Sequence, residues 1–517
     1  MIWNIVWAVG LVLFGRWLWN TAKWLLELEY KRRMCSGIPG PATLPLIGSM
    51  HLFPKELEKI EPFMIEECNK VIRAGGNVMK LWFAHQLRLY LLDSEAVKHL
   101  TSSNTELVKG EDYAIVKRWM GEGLLTSDGE KWARTRKLLT PAFHFAKLEE
   151  YADVIDEHVR EFVAILDKRA DGQEIDFFHY VKYLTLDIIM QTTMGVNLNL
   201  QADNNHPYVK AVQRFSELEL KVMMEPLLQL PGAMWLSGFE IKLRRTIRTL
   251  KAMSTNVIKE RLKLQQEEEA MGERQRKRRL DFLDLLLEQL NGGHMSLQEV
   301  HENVDTFLFG GHDTTAHALS WIIWCLATNP EHQKRLHDEL VEHFGDSDAE
   351  FKTSRVKELK FFDAAIKEAM RCYPPVPFVE RQLKEEMQIG EHRLPKGACV
   401  VIPQMFLHHN EKAFPDHWTF DPERFLDGRD IPPNAYLPFS AGPRNCIGKH
   451  SFIDEDHWSM LLAGMRFAQN EIRCTLAHLV HNFEFRADLP MSANWTIGEM
   501  VLRPGIGIPV RLTKRFQ

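Results

Sequence analysis

Several things are scarce in this chain of 517 residues. There is no surplus of positive charge: 64 basic side chains face 70 acidic ones, a net of −6 that leaves no electrostatic footprint for nucleic acid. Glycine and proline, 30 and 24 residues, are too few for a low-complexity or fibrous protein. The seven cysteines, at 35, 68, 325, 372, 399, 446 and 474, form no CxxC knuckle and no paired ladder. A disulfide scaffold and a zinc ribbon are therefore both excluded, and any cysteine with a role acts alone. There is no internal repeat. The length allows roughly three ordinary domains of ~150 residues or one large fold.

Long apolar runs are absent too, except at the start. Residues 1–22 carry a single charge, Arg16. As a helix rising ~1.5 Å per residue they would span ~33 Å, enough for a hydrocarbon core of ~30 Å. Trp3, Trp7, Trp17, Trp19 and Trp24 suit the interfacial belts of a membrane. The expectation is a retained transmembrane anchor over 1–22. A secretory signal would need basic residues before the run and a small-x-small site after it, and neither is present; a buried amphipathic helix is the other alternative. Lys31, Arg32 and Arg33 follow, which by the positive-inside rule places the rest of the chain in the cytosol. Pro39, Gly40, Pro41, Pro45 and Gly48 then predict a stiff, non-helical link. Residues 23–50 are thus a basic, Pro/Gly-rich hinge, and 51–517 the globular domain.

That domain reads as mainly α with small β-sheets. Residues 262–280 are rich in charge and predict a solvated loop. Ser296 and Glu299 make a capping box at the head of a helix running to Thr328, where Asn329-Pro330 stops it. More than thirty residues, apolar on nearly every side, must cross the middle of a large domain. At its centre stand Gly310, Gly311, His312, Asp313 and Thr314. Missing side chains there make either a packing notch or room for something flat or small. An acid beside a hydroxyl can relay protons, and His312 is expected to face elsewhere as a satisfied core histidine. Short alternating stretches at 397–402 and 505–512 predict strands.

A second segment carries more. Phe439, Gly442, Arg444, Cys446 and Gly448 spell FxxGxRxCxG: a glycine-bent loop presenting one thiolate, with an arginine two residues away to lower its cost. One thiolate cannot complete a zinc site, but it can be the single protein ligand of haem iron. With this loop the chain resembles the cytochrome P450 superfamily. Glu368 and Arg371 resemble its ExxR pair, which at i, i+3 shares one helix face. Arg424 in Pro422–Phe425 resembles the arginine that completes the pair as a network of three. Trp132 and Arg136 match the WxxxR segment and Arg381 the strand arginine.

The resemblance implies the P450 fold and a haem b bound through Cys446. It further implies that Trp132, Arg136, Arg381, Phe439 and Arg444 hold the cofactor, the arginines at its propionates. Gly311 is implied to open the helix groove, and Asp313 and Thr314 to deliver protons during catalysis. The implied reaction is a monooxygenation: one atom of O2 enters a C–H bond and the other leaves as water. Implied partners are NADPH–cytochrome P450 reductase and cytochrome b5, O2, a lipophilic small molecule and the endoplasmic reticulum membrane, spanned once with the catalytic domain cytosolic.

Asp305 to Phe307 together with Gly311 to Thr315, Arg279 to Leu287, and Val376-Pro377 near Arg381 resemble family 4, the fatty-acid ω-hydroxylase type. That family usually carries glutamate where this chain has Gly310, able to form an ester to a haem methyl; the expectation here is noncovalent haem and a fatty acid or related lipid as substrate. A second departure is larger. The sixteen residues 450–465 have no family counterpart between Lys449 and Arg466. A continuous helix absorbing them would turn its following face by ~160° at ~100° per residue, so they must loop out or the helix must restart. Asp454, Glu455 and Asp456 would sit on the cysteine side, where a reductase is expected to dock. A surface insertion, a stretch retained through splicing and a regulatory insertion all remain open. So do two other functions: a haem-thiolate isomerase or lyase needing no external electrons, and a catalytically impaired haem- or lipid-binding protein.

Overall fold

The computed structural model describes the chain except residues 1, 46, 144, 231, 271–280, 346–350, 352, 427, 429–430, 448–462 and 516–517. Nine helices position the site: α1 (Ile2–Met34), α2 (Gly129–Leu139), α3 (Phe145–Asp167), α4 (Phe177–Thr193), α5 (Pro207–Met224), α6 (Phe239–Ala270), α7 (Leu297–Thr328), α8 (Lys360–Cys372) and α9 (Ala463–Asn482). Two small sheets flank them. One contains β1 (Val78–Phe83), β2 (Gln86–Leu91), β4 (Val379–Gln382) and β5 (Cys399–Ile402) in the order β1-β2-β5-β4, with only β2 and β5 parallel. The other is antiparallel and centred on β7 (Pro509–Lys514), between β3 (Asp171–Asp176) and β6 (Phe483–Arg486). The mainly helical expectation and both predicted strand regions hold.

The axis of the molecule is α7. Its capping box forms as expected: Ser296 Oγ accepts from Glu299 N–H at 3.2 Å, and Glu299 Oε2 accepts from Ser296 N–H at 2.9 Å. The far end closes where Asn329 Nδ2 donates to the Cys325 carbonyl at 2.7 Å, just before Pro330 removes the next amide donor. Leu308, Leu319, Trp321, Ile322, Ile323 and Trp324 are all buried, which is why this helix is apolar on nearly every side.

Two expectations change. The first half of the predicted hinge is helical, because α1 runs on to Met34, braced by Glu27–Lys31 and Glu29–Arg33 pairs one turn apart. Its end docks on the sheet, with Arg32 over the Trp82 ring at 5.7 Å and Cys35 buried. Among the described residues no helix is long and apolar enough to cross a membrane. The charged stretch 262–270 is not a loop but the end of α6, where Lys263 can pair with Glu260 and Glu267; 271–280 lie outside the described residues. The sixteen-residue stretch 450–465 is undescribed as far as 462, and α9 begins at Ala463.

Candidate active site

Cys446 opens into an internal cavity of about 340 Å³ that Phe439, Arg444, Trp132 and Arg136 also line. Opposite stand Gly310, Gly311, Thr314 and Thr315 of α7. Cys446 is an exposed residue that lines this cavity. Burial pushes the thiol up to about 11, against which Arg136 and the Ile447 amide act. The loop bends through Ser440 at φ +60° and Gly442 at φ +73°. At Gly442 a Cβ would stand 1.9 Å from the Thr101 carbonyl oxygen, so glycine is required on two grounds.

The arginine that serves the sulfur is not the one the motif suggests. Arg136 reaches from α2 to the cysteine loop, donating to Asn445 O at 3.0 Å and Asn445 Oδ1 at 2.7 Å. Arg444 turns away, to Leu107 O at 2.9 Å, Asp128 Oδ1 at 2.7 Å and the Ser127 carbonyl. It also covers the Trp132 ring at 4.5 Å. A neighbour in sequence points elsewhere, and a residue more than three hundred positions away takes its place.

Behind the loop the predicted network of three is present. Glu368 accepts from Arg371 Nε at 2.8 Å and Nη2 at 2.9 Å, and Arg424 Nε lies 3.3 Å from the same carboxylate. Arg371 spends its remaining donors on the carbonyls of His408, His417 and Thr419. All three side chains are buried, so each charge depends on its partners.

On α7 the two glycines divide the two readings between them. At Gly311, which also lines the cavity, a Cβ would stand 2.3 Å from Ile189 Cδ1 of α4, so its missing side chain is a packing notch for that helix. The open space is at Gly310, where nothing lies within 4 Å. Thr314 faces the cavity and donates to the Gly310 carbonyl at 2.8 Å. Asp313 does not line the cavity. It is buried behind the helix, where burial pushes its carboxyl up to about 7; Lys182 of α4 works against this and Glu499 adds to it. His317 Nδ1 bonds the Asp313 carbonyl at 2.6 Å. His312 is not the satisfied histidine expected: both ring nitrogens lack partners among the described residues, and burial lowers its pKa to about 3.

Sequence reasoning missed Lys109 and Tyr113, which line the cavity, and Asp128, which joins Arg444 to the Lys109 amide. No motif marks them. Arg381 is buried behind the wall, not on it, donating to the Glu380 carbonyl at 2.9 Å. Burial lowers the pKa of Lys109, Arg136, Arg381 and Arg444, the last to about 10; Arg381 and Arg444 further depress Lys109, and Arg381 and Arg136 further depress Arg444. Three buried cations, Lys109, Arg381 and Arg444, and the half-buried Arg136 gather around Asp128, a cluster richer in positive than in negative charge. A flat ligand carrying two carboxylates and accepting one thiolate fits this donor set. Away from the cavity, Asp156, Cys474 and His478 come together on α3 and α9. There Asp156 is already taken up by His478 at 2.7 Å and Arg160 at 2.7 Å, an ion-pair arrangement.

A helical domain threaded by one long helix, with a lone cysteine loop facing its glycine-containing middle, is the architecture of a haem-thiolate protein. Residues 38–450 match the family model described as Cytochrome P450, and the chain belongs to that family. It is 34% identical to Cytochrome P450 4V2 of Mus musculus over 95% of this chain and 93% of that protein. It is 33% identical to Probable cytochrome P450 4s3 of Drosophila melanogaster, over 98% and 97%. Cytochrome P450 4d2 of the same fly is 32% identical over 95% and 96%. These relatives carry family 4 names, in line with the family 4 features of α7, and the family makes the chain an oxidoreductase that uses haem, O2 and a redox partner.

Proposed function

We propose that this protein is a membrane-anchored monooxygenase that places one oxygen atom of O2 into a C–H bond of a fatty acid or related lipid. Overall, R–H, O2, two electrons and two protons become R–OH and water. The observation that carries the reading is that Cys446 and Thr314 line one and the same mainly apolar cavity. When bound, haem supplies the oxygen chemistry and the thiolate its electron density.

The chain's own residues do the rest. Cys446 is the iron ligand, and Arg136 and the Ile447 amide lessen the cost of its thiolate. Trp132, Arg136 and Arg444, with Lys109, hold the propionate side, Arg381 adds its charge from behind the wall, and Phe439 packs beside the ligand. Thr314 holds a proton at Oγ1 within reach of the cavity, and Asp313 behind it, near neutral in pKa, replenishes that proton. Phe307, Phe309 and Val116 line the cavity and keep water out. The haem is noncovalent, since Gly310 offers no carboxylate for an ester.

The electrons come from NADPH–cytochrome P450 reductase, with cytochrome b5 as a second donor. The anchor lies in the endoplasmic reticulum membrane, with the catalytic domain in the cytosol. In support, Leu11, Val12, Leu13, Phe14, Trp17 and Leu18 of α1 are all exposed, although apolar. The stretch 450–465 is an extra segment; the family match ends at residue 450, where it begins. Deleting His450–Met465 raises the haem bound per milligram, and equal carbon monoxide difference spectra for both forms would overturn that.

The deciding experiment reconstitutes the full chain with reductase, NADPH and a panel of C12–C20 lipids. Hydroxylated product that requires all components supports the reading. Turnover without NADPH would instead indicate an isomerase or lyase, and bound lipid with no oxygen uptake a binding protein. Acid–acetone extraction settles the haem linkage: noncovalent haem leaves the polypeptide.

A further inference from the structure

Four carboxyls line the cavity: Asp112, Glu219, Glu380 and Glu499. Three of them have a guanidinium. Arg88 pairs with Asp112 and lies 3.1 Å from Glu380, and Arg503 lies 3.0 Å from Glu499. Glu219 has none. It projects from α5 with Phe215, Leu218 and Val222 buried beside it, it is 6% exposed, and its Oε2 has no hydrogen-bond partner among the described residues.

An unpaired carboxylate in such a place would cost several kcal/mol, so the group keeps its proton instead. Burial raises its pKa well above the usual range, and the acids Asp112, Glu499 and Glu380 raise it further. What the cavity then contains is a neutral O–H donor with nothing of the protein to bond. The same acids repel a second anion.

We propose that the Glu219 carboxyl hydrogen-bonds a neutral oxygen of the substrate, so that the cavity takes long-chain alcohols, aldehydes or esters in preference to the corresponding carboxylate anions. This rests on the lipid reading above and narrows it: the polar end of the lipid is uncharged where it meets α5.

The test measures binding, not turnover. Haem-loaded full chain is titrated with dodecan-1-ol and with dodecanoate at neutral pH, following the haem absorption shift. The wild type binds the alcohol about tenfold more tightly, the size expected of one buried hydrogen bond gained and one like-charge contact avoided. Glu219→Leu brings the two affinities to within about twofold, because the donor is lost and only the repulsion from the neighbouring acids remains. Glu219→Gln keeps a neutral donor of the same shape, and its alcohol affinity stays within about threefold of wild type. The carbon monoxide spectrum per milligram checks that each variant folds around haem. Glu219→Leu also raises the melting temperature, since it removes an unsatisfied buried group. Tight binding of both probes with a ratio that Leu leaves unchanged overturns this inference alone. Loss of alcohol binding in the Gln variant equal to that in Leu overturns it too. Binding of neither probe overturns the lipid reading together with it.

Discussion

The two walls of the cavity are built on opposite principles. The cysteine wall is crowded with polar groups that have partners: Arg136 on the loop carbonyls, Arg444 on Asp128 and its neighbours, Glu368 held by Arg371 and Arg424. The side built by α7 and α5 is mostly apolar, and some of its buried polar atoms lack partners among the described residues: Oε2 of Glu219 on α5, and both nitrogens of His312, which stands off the cavity. One side satisfies its charges with partners; the other leaves some polar atoms without any among the described residues. The difference teaches where stability and where reactivity reside.

Breaking the cysteine wall should cost most. Glu368→Gln leaves two guanidiniums buried against a neutral amide, and loss of one partner of a buried pair costs about 3–5 kcal/mol. The expected outcome is loss of bound haem and a collapse of the urea midpoint; normal haem content would show that the network is dispensable.

Next comes Asp313, which sharpens the contrast. Its folded pKa, about 7, lies above the value near 3.9 of an unfolded aspartate. The folded state therefore holds the proton more tightly, and this carboxyl's contribution to stability falls as pH rises from ~4 to ~7. At ~1.4 kcal/mol per unit the whole effect is at most about 4 kcal/mol. Asp313→Asn removes the dependence, so its stability relative to wild type climbs across that window and levels off above it. Urea midpoints from acid to neutral pH check this, and a constant difference would refute it.

The smallest effects separate the two glycines. Gly311→Val drives a side chain into Ile189 and costs about 1–3 kcal/mol of overpacking, read as a lower melting temperature. Gly310→Ala meets open space and, as an exposed helical position, gains up to about 1 kcal/mol. Equal shifts for both would mean the notch is not where Ile189 places it.

These contrasts follow the line between what could be read in the chain and what could not. The capping box at Ser296 and the stop at Asn329 are local, decided by residues within one turn, and both were legible. So were Cys446 and the trio Glu368, Arg371 and Arg424, because their chemistry demands particular residue types at short or ordered spacings. The end of α1 and residues 262–270 were misjudged: runs of alternating charge suit a solvated loop and a helix with i, i+4 pairs alike.

By itself, then, the sequence determined a mainly helical protein with one long central helix, one lone cysteine on a glycine-bent loop and a buried ion network. Tertiary structure alone decided that Arg136 and not Arg444 serves the sulfur, that Gly311 is a notch while Gly310 is open, and that Glu219 stands unpaired in the cavity. The physical reason is range. Caps, turns and thiolate loops are set by neighbours along the chain, whereas the partner of a buried charge is whichever group the packing of distant helices brings within about 3 Å.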